Sequence, residues 1–243
     1  MKNLRIVETG DGSNTIYLKD LDESYHSLSG AYTESRHVFI RNGLFRVIKD
    51  FLHPDNLAKK KNQNLGLIEV GFGTGLNAML TYEQCLLRGI KLCYIGLEPH
   101  PLPSFVVEKL NYKKFFDARI IDQWNELHRL PWEKKHVWQG NFSFIKTKSS
   151  IEEFIIDDFF SKKDRPKIKL IYFDAFAASK QKEIWSSEVF SKLADLVEDG
   201  GGLVTYGASG ELRRNLAKSG WKWQSLPGAM EKREMTFATF GHS

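Results

Sequence analysis

The sequence is poor in cysteine. Its 243 residues hold two, Cys85 and Cys93. Two thiols cannot staple a disulfide scaffold or form a four-thiolate metal site, so a secreted mini-domain and a zinc ribbon are both excluded. Each lies in an apolar pattern, helical for Cys85 and strand-like for Cys93, where cysteine behaves as a small hydrophobe. A reduced, cytoplasmic setting is expected from this usage. Long apolar runs are missing as well. No stretch is long enough to cross a bilayer as a helix, and Met1-Lys2-Asn3-Leu4-Arg5 opens an alternating strand pattern, not the core of a signal peptide. Internal repeats and low-complexity segments are also lacking, which leaves an ordinary globular chain.

What is present suits one α/β domain with a small N-terminal addition. Hydrophobic residues make up 42% of the chain and aromatics 13%, enough for a packed core. The formal net charge is +5, which permits a polyanionic partner without demanding one. Basic pairs and triplets are scattered, at Lys59-Lys60-Lys61, Lys113-Lys114, Lys134-Lys135-His136, Lys162-Lys163 and Arg213-Arg214. They form a phosphate footprint only if folding brings several to one face.

The periodicities predict a β-hairpin over residues 4–18, then a helix through Val38, Phe39, Leu44, Val47, Ile48 and Phe51 that ends before His53-Pro54. This extension, residues 1–60, is expected to pack on a domain spanning 65–243, with the polar run Lys59–Asn64 as boundary. From Leu65 strands and helices alternate. Strands are predicted at 65–70, 92–97, 142–146, 168–173 and 203–206, and helices at 76–87, 105–116, 151–160 and 188–197. Continuous apolar strands separated by helices imply a parallel sheet covered on both faces. Residues 221–226 and 235–240 read as a final hairpin around Pro227-Gly228-Ala229.

The most informative stretch is Glu69-Val70-Gly71-Phe72-Gly73-Thr74-Gly75-Leu76-Asn77, where a buried strand enters a glycine-rich turn and a helix follows. Such turns lie at the carboxyl ends of strands, where open α/β sheets bind ligands. Dinucleotide sites space their glycines G-x-G-x-x-G and bind pyrophosphate. Here the spacing is G-x-G-x-G, and a carboxylate, Glu69, precedes it. That arrangement suits S-adenosylmethionine, which carries an ammonium and a sulfonium and no phosphate. Glu98, at the end of the next strand, is placed to accept both ribose hydroxyls. Asp174 ends the strand Ile171-Tyr172-Phe173, in the fourth-strand position beside a transferred group.

Three segments together resemble the methyltransferase domain of the MnmC family and its free-standing form, MnmD. They are Glu69–Asn77, Asp174-Ala175-Phe176-Ala177 and Lys232-Arg233-Glu234-Met235. Tyr25-His26-Ser27, Glu34-Ser35-Arg36-His37-Val38-Phe39-Ile40 and Tyr206–Leu216 extend the resemblance over nearly the whole chain. It implies a Rossmann-like class I S-adenosylmethionine methyltransferase sheet with an antiparallel last strand. It also implies N-methylation of the 5-aminomethyl group on the wobble uridine in the tRNA anticodon stem-loop. The chain has no second glycine-rich βαβ unit, so the FAD-dependent step of MnmC is expected to be absent and the amine made by a separate enzyme. Two departures stand out. Ala178 and Lys182 replace family prolines while Trp185 is kept, and Ser149-Ser150 stands where the family carries Gly-Asp against adenine.

The expected roles follow. Asp174 orients the amine and helps remove its proton, with the Tyr25 hydroxyl assisting. Glu69, Gly71, Phe72, Gly73, Thr74, Gly75, Asn77, Glu98 and Asp174 hold the cofactor, and no metal is required. Arg36, Arg213, Arg214, Lys232 and Arg233 contact tRNA phosphates, and Phe72, Phe176 or Trp185 stacks on the extruded base. Three alternatives stay open: a methyltransferase of this fold acting on a small molecule or protein, a nicotinamide-dependent oxidoreductase, and a catalytically silent tRNA-binding module. The glycine spacing and Glu69 weigh against the second.

Overall fold

The structure is a computed structural model that describes residues 4–52, 65–139 and 142–241. The chain opens with a small antiparallel sheet, β1 (Leu4–Glu8), β2 (Asn14–Leu18) and β3 (Glu23–Ser24). The hairpin was expected and its third strand was not. A continuous helix α1 follows over residues 31–52. It is α-helical at Ala31–Ser35, π-helical at Arg36–Leu44 and α-helical again at Phe45–Leu52. The predicted boundary at Lys59–Asn64 lies outside the described residues.

The main sheet contains β4 (Leu65–Val70), β5 (Leu92–Leu97), β6 (Lys135–Trp138), β7 (Phe142–Thr147), β8 (Lys167–Phe173), β9 (Gly202–Thr205), β10 (Trp221–Pro227) and β11 (Glu234–Phe240). Their spatial order is β10-β11-β9-β8-β4-β5-β7-β6. The five strands β7, β5, β4, β8 and β9 are parallel, and β11 enters antiparallel between β9 and β10, as expected for this sheet. Helices α2 (Leu76–Arg88), α3 (Ser104–Val107), α4 (Ile121–Arg129), α5 (Ser187–Leu196) and α6 (Gly210–Lys218) complete the fold.

Both sheet faces are dry. Leu92 and Tyr94 of β5 join a core with α1 and α2, whereas Cys93, Ile95 and Leu97 join one with α5 and α6. A strand buried on both sides must be apolar at successive positions, which is why period-two alternation vanished from the sequence. Both cysteines are buried and free.

Two predictions for the crossovers fail. The helix expected over 105–116 shrinks to α3 and a 3-10 turn at Tyr112–Phe115, and the one expected over 151–160 is a set of turns with a 3-10 turn at Ile156–Asp158. Ile151, Phe154, Ile156 and Phe160 are buried all the same, so burial, not helical periodicity, dictated that spacing. Edge strand β6, antiparallel to β7, and helix α4 were not anticipated.

Candidate active site

The glycine-rich turn leaves β4 at Val70 and hooks over β5, with the Gly71 and Phe72 N–H groups both donating to the Leu97 carbonyl at 3.1 and 3.0 Å. A Cβ on Gly71 (φ 88°) would lie 2.4 Å from the Asp174 carbonyl oxygen, so the ends of β4 and β8 approach too closely for any side chain. At Gly73 (φ 48°) a Cβ would meet the Tyr25 ring at 3.0 Å. This turn places a donor on Glu98. Gly73 N–H donates to Oε2 at 2.9 Å and His100 N–H to Oε1 at 3.0 Å. Burial pushes the Glu98 carboxyl up, and these two N–H bonds oppose the shift. Each oxygen retains a lone pair for a ligand hydroxyl.

Glu69 is not where the sequence reading put it. It is fully buried and does not line the cavity. Strand alternation turns it toward the α2 layer, where Tyr94 Oη donates to Oε2 at 2.6 Å and Asn77 Nδ2 to Oε1 at 2.8 Å. Burial holds its pKa well above the usual carboxylate range. The same Asn77 Nδ2 donates to Asp174 Oδ2 at 2.8 Å, so one amide bridges both acids. Asn77 Oδ1 is buried without a partner, and Asn77 lines the cavity. An orphaned acceptor here suits the ammonium that Glu69 had been expected to meet. Asp174 is pushed up to about 8, mainly by burial and then by the charge of Glu34; Asn77 and Lys232 oppose the shift.

These groups wall a cavity of about 730 Å³ beyond the carboxyl ends of β4, β5 and β8. Gly71, Phe72, Gly73, Thr74, Asn77, Glu98 and Asp174 line one side, with Ser149 and Ser150 after β7. The N-terminal sheet and the loop after it supply the facing wall, including Leu18, Glu23, Tyr25, His26 and Leu28. Tyr25 packs edge-to-face on Phe176, ring centroids 5.1 Å apart, and its hydroxyl pKa is raised by burial and by Glu98. That hydroxyl stays protonated, so it serves as a donor or a wall and not as a base. The cavity size, the paired carboxylates and the orphaned amide oxygen fit a ligand with a ribose diol and an ammonium.

The remaining expected residues scatter. Gly75 caps α2 and lies behind the turn against Leu127 and Phe72. The Phe72 ring is buried against Phe144, Trp132 and His128, so it is core and not a stacking platform. Trp185 is buried too; its Nε1 donates to the Phe176 carbonyl at 2.8 Å, so it supports the loop instead of meeting a base. Phe176 itself faces the cavity. Arg213 is taken up by Glu234 at 2.6 Å and lies over the Trp223 ring. Lys232 faces the cavity, bound to Glu34 at 2.5 Å, instead of standing free for phosphate. Arg36 is exposed over the Tyr32 ring, Arg214 is exposed on α6, and Arg233 is exposed beside a shallow groove with Tyr206, Gly207 and Ala208.

Two cavity residues received no role from the sequence. His26 is buried, with Nε2 2.9 Å from Thr74 Oγ1, and burial lowers it to about 4, so it pins the turn as a neutral ring. Glu34 is buried, with one oxygen accepting the Ser27 N–H at 2.8 Å. Both lie in the quoted family words, but nothing local distinguishes them from surface residues.

Comparison with known proteins agrees with the resemblance read from the sequence. A family profile described as S-adenosyl-L-methionine-dependent methyltransferase matches residues 125–240. The tRNA 5-methylaminomethyl-2-thiouridine biosynthesis bifunctional protein MnmC of Cupriavidus metallidurans is 29% identical over 252 aligned residues, covering 96% of this chain and 33% of that protein. The protein of the same name from Saccharophagus degradans is 28% identical, covering 96% and 35%. The chain thus spans about a third of the length of these curated relatives. Among solved structures, MnmC2 from Aquifex aeolicus superposes with a TM-score of 0.73 at 23% identity, covering 100% of this chain and 72% of that one, which establishes the shared fold.

Proposed function

We propose that the chain is an S-adenosyl-L-methionine-dependent methyltransferase, as the profile matched by residues 125–240 is described, and that it methylates the 5-aminomethyl group of a wobble uridine in the tRNA anticodon stem-loop. The observation that carries this reading is the Gly71–Gly73 turn joined with Glu98 and Asp174 in one wall of the cavity. The curated relatives share this stretch of chain, and their names place them in methylaminomethyl-thiouridine biosynthesis. In this reading another domain or a separate enzyme supplies the amine. The reaction belongs where tRNA is, in the cytoplasm.

S-adenosylmethionine, when bound, supplies an activated methyl on a sulfonium. Glu98 would hold the ribose hydroxyls with the lone pairs its two N–H bonds leave over, and the Asn77 Oδ1 would accept from the ammonium. The acceptor amine arrives protonated and cannot attack in that form. Asp174, pushed up to about 8, is a stronger base than an ordinary aspartate and takes that proton. Tyr25 and Phe176 close the cavity over the reacting groups and exclude water.

The test is to incubate the chain with methyl-labelled cofactor and tRNA that carries the unmethylated amine, then analyse nucleosides. Label in methylaminomethyluridine is expected, and its absence from tRNA defeats the reading. Asp174→Asn is expected to cut turnover by about 100-fold or more while changing cofactor affinity by no more than about threefold. Full turnover by this variant removes Asp174 from the mechanism.

A further inference from the structure

The contact between Lys232 and Glu34 joins positions 198 residues apart at the wall of the cavity. Lys232 lies in the turn between β10 and β11, and Glu34 in the first turns of α1. The Lys232 Nζ is 2.5 Å from Glu34 Oε1 and 4.4 Å above the Tyr206 ring. Each holder is itself held. Glu34 has 8% side-chain exposure and accepts the Ser27 N–H, while Tyr206 Oη donates at 2.8 Å to the carbonyl of Ala175, the neighbour of Asp174. The Lys232 side chain keeps 41% exposure, so part of it still meets solvent. Its ammonium is nevertheless located by two contacts, a buried carboxylate and an aromatic face.

We propose that Glu34 and Lys232 are paired positioning residues: Glu34 fixes the Lys232 ammonium on the wall beside Asp174, and that fixed charge governs how readily Asp174 takes the acceptor's proton. The proposal rests on the methyl-transfer reading above. The groups that act on Asp174 come from every element around it. Glu69 of β4 shares the Asn77 amide with it, Tyr94 of β5 bonds to Glu69, and Tyr112, Tyr206 and Glu34 interact with it from other elements. Lys232 is the cation of this set. Its charge keeps more of Asp174 ionised and available to accept a proton, at the cost of a weaker base, and it disfavours the ammonium form of an incoming amine. Glu34 works against ionisation of Asp174, and its influence there exceeds that of Lys232. Its use is to hold the lysine in place.

The test is the pH dependence of turnover at saturating cofactor and tRNA, which removes any effect on RNA affinity. Lys232→Met should move the rising limb upward by about one pH unit, a loss of about tenfold near neutral pH that is regained in alkali. Lys232→Arg should restore the wild-type limb. Glu34→Gln/Lys232→Met, which leaves no uncompensated charge, should move the limb below that of wild type, and it serves if the single variant is unstable. A structural role alone would lower the rate equally at every pH. The titration of the Asp174 carboxyl, followed by carbon-13 NMR without tRNA and assigned with Asp174→Asn, should shift in the same directions. This second readout separates the two ideas: absent methyl transfer with shifted titrations defeats the substrate reading and keeps the pair. Rate profiles and titrations of Lys232→Met that superimpose on wild type overturn the proposal.

Discussion

At the scale of the residue, Asp174 shows what the site costs. Its carboxyl titrates at about 8 in the folded chain and near 3.9 in an unfolded one. Between those values the folded state keeps a proton that the unfolded state has released. Stability is therefore complete below about pH 4 and is lost as pH rises through about 8. Asp174→Asn removes this penalty. The advantage of the variant over wild type should widen between pH 5 and pH 9 by about 1 kcal/mol or more, roughly 2–4 °C for a chain of this size. Thermal unfolding at the two pH values measures it, and an equal gap at both would contradict the assignment. A base strong enough to strip an ammonium is one the fold must hold against its own stability.

At the scale of the element, helix α1 shows packing overruling propensity. Gly43 lies in its π-helical segment, where replacement by alanine would ordinarily stabilise a helix by about 1 kcal/mol. Here an added Cβ would lie 2.8 Å from Val204 Cγ1 and 3.2 Å from Tyr172 Cε1. Val204 is buried and β-branched, so it has little room to give way. Gly43→Ala should lose about 1–3 kcal/mol, read from the urea midpoint. A stabilised variant would mean that helix and sheet slide apart more easily than this contact implies. The close approach has a use: α1 carries Glu34 at its start, so its seat on β8 and β9 helps set the cavity wall.

At the scale of the whole molecule, the net charge of +5 matters only through where the cations end up. Arg213 is paired with Glu234 and the exposed Lys232 with Glu34, while Arg233, Arg214 and Arg36 are exposed as well. Arg233 borders the groove that also contains Tyr206 and Lys232, beside the cavity mouth. Arg233→Glu should weaken tRNA binding by about 5–30-fold at moderate salt and reduce the salt slope by about one, read by filter binding across a salt series. Affinity that ignores both salt and this substitution would remove Arg233 from the RNA surface.

The sequence by itself determined the five parallel strands and the closing antiparallel pair, the helices at 76–88 and 187–196, the glycine turn, and the places of Glu98 and Asp174 at strand ends. Those features are local: apolar runs, turn chemistry and spacing along one stretch of chain. Tertiary structure alone decided that Glu69 is buried against Tyr94 and Asn77, away from the cavity. It also sent Phe72 and Trp185 into the core, and joined Glu34 to Lys232 across 198 positions. Each of these outcomes depends on which distant group satisfies a buried charge or fills a buried volume, and no pattern within a single segment carries that information.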